Sequence, residues 1–218
     1  MMTNSFMKKN ILVSTAMILS LIASLFMLSS CDDEANKLYK SGKVKFYEVD
    51  YYGAIDDFTK AIEIEPGNDS AYYYRGIAKR LLGDSHGSLA DYEKVIKINP
   101  QFAQLYSERA MSKSQLEDYE GVIQDYTKAI EIEPDNVLHY LERGHAKYEI
   151  GDYYGAIADY TKVIAIAPGI FFYRAYPSRA EAKLKLGDRI GACKDWAKYK
   201  ELKGSSPFYP ELEEACNN

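Results

Sequence analysis

The chain has 218 residues, 47% hydrophobic, 13% aromatic and 27% charged, an ordinary globular composition with enough apolar content for one or two cores. Residues 1–30 carry Lys8 and Lys9 as their only charges, which leaves 25 of the 27 basic residues against 32 acidic ones in the remainder, a net of −7. An acidic body without a Lys/Arg run argues against nucleic-acid binding and against a purely electrostatic grip on anionic lipid.

Lys8 and Lys9 stand ahead of an uncharged apolar run from Ile11 to Leu28, the pattern of an export signal. The run also approaches the length that spans a bilayer, about 20 residues, so an uncleaved anchor is the alternative. The following Leu28-Ser29-Ser30-Cys31 resembles the bacterial lipobox, in which a small residue precedes a cysteine. That resemblance implies removal of residues 1–30 as a lipoprotein signal peptide, diacylation of the Cys31 sulfur (palmitate-type chemistry) and acylation of its new amino group. Several acyl chains hold a protein on a bilayer stably, whereas one is marginal. Residues 31–34 then form a lipidated tether, with Asp32, Asp33 and Glu34 where lipoproteins carry sorting signals. Signal and anchor alike place the body outside the cytoplasm on the cell envelope; inner membrane, outer membrane and cell surface all stay open.

From residue 35 the sequence repeats. Asp57 to Pro66 reads DFTKAIEIEP, Asp91 to Pro100 DYEKVIKINP, Asp125 to Pro134 DYTKAIEIEP and Asp159 to Pro168 DYTKVIAIAP, at one constant spacing. A degraded copy, DWAKYKELKG, starts at Asp195, slightly later than that spacing predicts. Such a fixed period, about 34 residues, marks an array of helical hairpins. Units 35–68, 69–102, 103–136 and 137–170 follow without gaps, and a degenerate fifth covers 173–204 after an insertion near Ile170-Phe171-Phe172. Position 8 of the unit is small (Gly42, Gly76, Ala110, Gly144, Ala180), as is position 20 in most copies (Ala54, Ser88, Val122, Ala156, Ala192), which permits close helix approach. Position 24 is aromatic in every copy (Phe58, Tyr92, Tyr126, Tyr160, Trp196), and a proline at position 32 (Pro66, Pro100, Pro134, Pro168) stops the second helix. Tyr126, Ala129, Ile130 and Glu133 recur at i, i+3, i+4 and i+7, a helical stripe that ends on a charge. Between the helices stand Gly83-Asp84, Glu117-Asp118, Gly151-Asp152 and Gly187-Asp188, where glycine can take the left-handed conformation that ends a helix.

These features resemble the tetratricopeptide repeat, over nearly all of the chain beyond residue 34. The resemblance implies an all-α fold, a right-handed α-solenoid of about five hairpins plus a C-terminal capping helix and tail in 205–218. One hairpin cannot bury its apolar face alone, so neighbours must stack and the ends need caps. Gly204-Ser205-Ser206-Pro207 offers a helix stop, an N-cap and a first-turn proline, with a short helix expected over 208–216 whose Phe208, Tyr209 and Leu212 cover the last hairpin. Position 7, usually leucine in the family, is Arg75, Arg109, Arg143 and Arg179, with Ser41 in the first unit; position 23 is Asp57, Asp91, Asp125, Asp159 and Asp195. The family's geometry puts the two positions on facing helices, which implies partly buried, bidentate pairs Arg75–Asp91, Arg109–Asp125, Arg143–Asp159 and Arg179–Asp195. With Cys31 acylated, Cys193 and Cys216 remain as an even pair outside the cytoplasm, either a disulfide or two buried thiols.

Nothing in the sequence points to catalysis, a metal or a cofactor. His86, His139 and His145 are the only histidines, and the last two, on one helix but not at ligand spacing, are read as surface or groove side chains. H-E-x-x-H, C-x-x-C, Gly-rich phosphate loops and G-x-S-x-G are all absent. The family binds peptides or protein segments in a groove lined by the first helix of each hairpin. Carried over, that surface comprises Tyr39, Lys40, Lys43 and Tyr47, then Tyr73, Tyr74 and Ile77, then Ser107, Glu108 and Met111, and finally Leu141, Glu142, His145 and Tyr148. The aromatic and lysine-rich N-terminal part suits an extended segment with apolar side chains and some negative charge. The carboxylate clamp of chaperone-tail binders needs asparagine at set groove positions, and only Asn36 stands at one. The expected function is a membrane-anchored scaffold or adaptor for an envelope protein or peptide; a surface-exposed accessory that binds a glycan or external ligand is the alternative.

Overall fold

The computed structural model describes residues 33–167, 172–203 and 209–217. The export segment, Cys31, Asp32, Pro168, most of the insertion around Ile170, and residues 204–208 lie outside the described residues. Those described are helices joined by short turns, without a strand among them. They fall into two compact units, one up to Leu82 and one from Gly83. The first holds α1 (33–47), α2 (Tyr51–Ile64) and α3 (Asp69–Leu81). The second holds α4 (Ser85–Ile98), α5 (Ala103–Gln115), α6 (Tyr119–Ile132), α7 (Val137–Glu149), α8 (Tyr153–Ile166), α9 (Phe172–Lys185), α10 (Arg189–Lys203) and α11 (Pro210–Asn217).

The start of each second helix is set by one aspartate. Asp50, Asp84, Asp118 and Asp152 accept hydrogen bonds from the backbone N–H of Gly53, Gly87, Gly121 and Gly155 at 2.9–3.0 Å, and Asp188 accepts one from Gly191 at 2.8 Å. Such a cap stabilises a helix by about 1 kcal/mol. The carboxylate fills the space a Cβ on that glycine would need, 2.0–2.2 Å away, so the glycine and the aspartate must occur together. Just before the cap the chain is left-handed: Gly83, Gly151 and Gly187 have φ of 80–85°. Glu117 (φ 59°) and Val49 (φ 67°) hold the same conformation without glycine, which costs a residue with a Cβ about 1–2 kcal/mol.

Each hydrophobic core joins one hairpin to the element that follows it. Ala54, Phe58, Ala61 and Ile62 of α2 bury Ala71 of α3, with Leu38, Tyr39 and Phe46 of α1 packed alongside. In the second unit Ala110, Val122 and Tyr126 enclose Ala146, and Leu141, Ala156, Tyr160 and Val163 enclose Ala175. The small residue at position 8 is needed for this approach, since a Cβ on Gly42 would lie 2.7 Å from the Phe58 ring and one on Gly144 2.8 Å from that of Tyr160.

A buried carboxylate lies inside these hairpins. Asp125, Asp159 and Asp195 are 2–5% exposed, and Arg109, Arg143 and Arg179 each donate Nε–H to one carboxylate oxygen at 2.9 Å and Nη2–H to the other. Lys113, Lys147 and Lys183, one turn further along, add ammonium contacts at 2.7–2.9 Å. In the first hairpin Ser41 donates to Asp57 at 2.6 Å and Lys45 approaches it at 2.7 Å. Burial opposes ionisation of Asp57, but these two partners outweigh it and hold the carboxyl below its ordinary value. Arg75 and Asp91 belong to different units; Arg75 Nη1 donates to Thr59 at 3.0 Å and Asp91 is buried. The same backward reach recurs from Arg143 to Thr127 at 3.0 Å and from Arg179 to Thr161 at 2.9 Å. A tyrosine ring (Tyr72, Tyr106, Tyr140, Tyr176) lies 5.3–5.7 Å from each guanidinium.

The C-terminal helix begins at Pro210, a little later than the sequence suggests. Proline suits a first helical position because its missing N–H would have had no partner there, and Glu211 and Glu213 in the first turn favour the helix dipole. Leu212 is fully buried with Trp196 and Tyr199, and Tyr209 packs edge-on against both rings at 5.6 and 5.8 Å. Phe208 lies outside the described residues. Cys193 of α10 and Cys216 of α11 form a disulfide across 23 residues of chain.

Asp159→Ala leaves Arg143 and Lys147 together without their counterion and is expected to cost about 3 kcal/mol, read as a lowered urea midpoint. Lys128→Ala, which removes an exposed pair with Glu131, should leave that midpoint in place. Opening the Cys193–Cys216 link, by reduction or by Cys193→Ser/Cys216→Ser, should weaken the last hairpin by about 3 kcal/mol on loop-closure grounds, measured by hydrogen exchange over α10 and α11.

Candidate functional site

In the first unit the sequence places aromatic residues at helical spacing on α1 and α3, and packing gathers them round one lysine. Tyr39 and Tyr74 stand 6.2 Å apart, Tyr73 meets Tyr74 edge-on at 5.5 Å, and Phe46 meets it at 5.6 Å. Lys43 Nζ lies 5.6 Å from the Tyr39 ring centre and 5.0 Å from that of Tyr74. Tyr39 first, and then Tyr74, push the Lys43 ammonium above its ordinary pKa. The Tyr47 hydroxyl reaches that of Tyr74 at 3.4 Å, a contact that raises the Tyr47 pKa. The result is a cation held against two aromatic faces, with Tyr47 (68% exposed) at its rim. Ile77 lies one turn beyond Tyr73 on α3, half-buried. Tyr74 itself packs on Phe58 at 6.0 Å, so its ring is part of the core as well as of the face.

In the second unit the residues read from the sequence separate. Met111 is exposed. Leu141 lines no groove: it is fully buried with Tyr160 and Ala175. Ser107 and Glu108 are buried too, and His139 is 3% exposed rather than on the surface. These positions vary between repeats because each must fit a different neighbouring hairpin, and variation alone does not distinguish that from a ligand surface. His145 is half-buried in a polar cluster, with Ser178 Oγ and Arg174 Nη2 each 3.5 Å from its ring nitrogens and Glu142 beside it. Arg174 pairs with Glu142 at 2.9 Å. Burial works against the Glu142 charge, but His145 and Arg174 outweigh it and lower its pKa. Tyr148 stacks edge-on with Tyr153 at 5.3 Å, and burial raises its pKa. Burial, and then Glu211, raise the carboxyl of Glu181.

Among the described residues no group of three or more His, Cys, Asp or Glu is arranged to hold a metal, and no helix is long and apolar enough to cross a membrane. Lys45, Lys79, Lys113, Lys147 and Lys183 escaped the sequence reading, although they recur at position 11 with the same period as the arginines.

A tetratricopeptide-repeat family profile matches residues 69–102, 103–136 and 140–170. Over these residues the chain is a tetratricopeptide-repeat array, a fold suited to protein–protein interaction. Among solved structures, MamA is 23% identical with a TM-score of 0.74, over 78% of this chain and 92% of that one. A MamA from Desulfovibrio magneticus RS-1 is 16% identical with a TM-score of 0.73, over 79% and 98%. YrrB, described as a tetratricopeptide-repeat protein with an unusual peptide-binding site, is 15% identical with a TM-score of 0.72, over 83% and 91%. At these identities the likeness concerns the fold alone. No curated protein matches the sequence.

His139 carries a pH dependence. Its Nδ1 meets Ser107 Oγ and its Nε2 meets Glu133, each at 3.3 Å, and the Tyr126 ring lies 6.1 Å away. Burial lowers its pKa, and Glu133 only partly offsets this. The unfolded chain takes up this proton near pH 6.5, so stability present above that pH is lost as pH falls from there toward the folded value. His139→Leu should flatten that part of the curve of urea midpoint against pH.

Proposed function

We propose that the protein is a lipid-anchored adaptor of the cell envelope whose first unit binds an extended segment of another envelope protein. The observation that carries this is Lys43 seated between Tyr39 and Tyr74 with Tyr47 at the rim. Such a face offers aromatic area for apolar side chains and one fixed cation for a carboxylate. The peptide-binding site named for the structurally similar YrrB is consistent with this use of the fold. Export and acylation at Cys31 rest on the lipobox-like Leu28-Ser29-Ser30-Cys31.

Tyr74→Ala would open a cavity beside Phe58 and confuse binding with folding, so Lys43→Glu/Tyr47→Ala is the informative variant. Crosslinked full-length protein should yield an envelope partner with wild type and with Tyr154→Ala, and lose it by about tenfold or more with Lys43→Glu/Tyr47→Ala. Equal recovery from all three would overturn the assignment of this face. Cys31→Ala should move the protein from the membrane to the soluble fraction; retention would favour the spanning anchor instead.

A further inference from the structure

In every later repeat, positions 3 and 10 of the first helix are buried by stacking. Ala71 and Ala78, Leu105 and Ser112, His139 and Ala146, and Ala175 and Ala182 are at most 3% exposed. In the first repeat the same positions are Lys37, which is exposed, and Val44, which is 57% exposed. Lys37, Lys40 and Val44 follow one another at spacings of three and four, a single stripe along the outer face of α1. Beyond it come Val49, 66% exposed, and Tyr52, 77% exposed, at the turn into α2. Val49 is β-branched in the left-handed conformation where most of the other turns use glycine, so an apolar side chain is kept on this turn against a backbone preference. A terminal hairpin with nothing to stack on would ordinarily turn a polar face outward.

The length of the tether says what lies opposite. Cys31 and Asp33 are two peptide steps apart, which keeps their Cα atoms within about 8 Å. If Cys31 carries the lipid, the start of α1 is at the bilayer, and the helix runs about 21 Å from Asp33 to Tyr47, a length that can lie along the surface. We infer that the outer face of α1 and its turn into α2 rest on the bilayer, with Lys37 and Lys40 at lipid phosphates and Val44, Val49 and Tyr52 in the interfacial layer. Lys37 and Lys40, with Asp33, Glu34 and Asn36, also line an open concavity on this face. Asp33 and Glu34 lie in the first turn and Glu48 and Asp50 follow the helix, so the segment from 33 to 52 carries no net charge. The contact therefore orients the protein rather than anchoring it. Tyr39 lies roughly 100° round the helix from Lys40 whereas Tyr47 lies within about 20° of it, so the aromatic face meets the bilayer at its rim and a partner would approach along the membrane.

The inference rests on acylation at Cys31, and its test separates the two. The full-length acylated protein is placed in vesicles of phosphatidylethanolamine and phosphatidylglycerol with brominated acyl chains, and Val44→Trp, Tyr52→Trp and Tyr154→Trp are compared. Native Trp196, 1% exposed, is the common background, and Tyr154, 76% exposed, stands at the Tyr52 position of a later repeat. Quenching about threefold stronger at 44 and 52 than at 154 is the expected result. Equal quenching at all three sites while the protein stays vesicle-bound overturns the orientation alone. An intact mass without acyl chains on Cys31 overturns the anchor, and the orientation with it. Concentration-dependent dimers that protect the 44 and 52 probes without lipid quenching overturn it in favour of a second copy of the chain.

Discussion

A carboxylate buried between two helices is the constraint on which the hairpins depend. An ionised aspartate out of water is costly unless it is paired and fully hydrogen-bonded. Asp159 meets that condition only if α7 presents Arg143 and Lys147 one turn apart, at the height where α8 presents the acid. Slipping one helix against the other by a single residue would rotate the guanidinium away by about 100° and strand the charge. Pairs of this kind specify register more than they add stability, and the apolar contacts at positions 8, 20 and 24 can then close in a single arrangement. The arginine is held from its other side as well, by a tyrosine ring and by the threonine of the preceding hairpin.

With the arginines at position 7 and the lysines at position 11 turned inward on buried acids, the first helices of the second unit have few cations left to offer a partner. That is why Lys43 stands out: it faces aromatic rings instead of an aspartate. The second unit's inner side chains are by contrast paired among themselves, Glu142 with Arg174 and His145 among them. A ligand there would have to displace existing contacts, whereas the face on α1 and α3 has an exposed edge at Tyr47.

The hairpins were legible in the sequence because a fixed period repeats core types that only one packing reconciles. Turn glycines, stop prolines and the arginine and aspartate positions could be read by comparing the copies with one another. The site was harder, for a physical reason. Leu141 and His139 differ from their counterparts because they adapt to a neighbouring hairpin, and Tyr73 and Lys43 differ because they face out; one sequence without a partner gives both the same appearance. The lysines at position 11 were hidden in another way, since a periodic lysine on a helix resembles an ordinary solvated face until Asp125 or Asp195 is seen opposite it. Val49 could not have been read at all, because nothing in its side chain announces a left-handed backbone.

The backward hydrogen bond from arginine to threonine gives the array a grammar. Each internal repeat brings a plug at position 7 and a socket at position 25, as Arg143 and Thr161 do within one unit. The first repeat has Ser41 where the plug would be, and the last has Ala197 where the socket would be. Whole repeat units could therefore be duplicated or lost between those ends with the joints re-formed, and the joint from Arg179 to Thr161 forms even across the insertion near Ile170. At the same position of the second repeat stands Glu93 instead of threonine, and its charge favours the ionised form of Arg109.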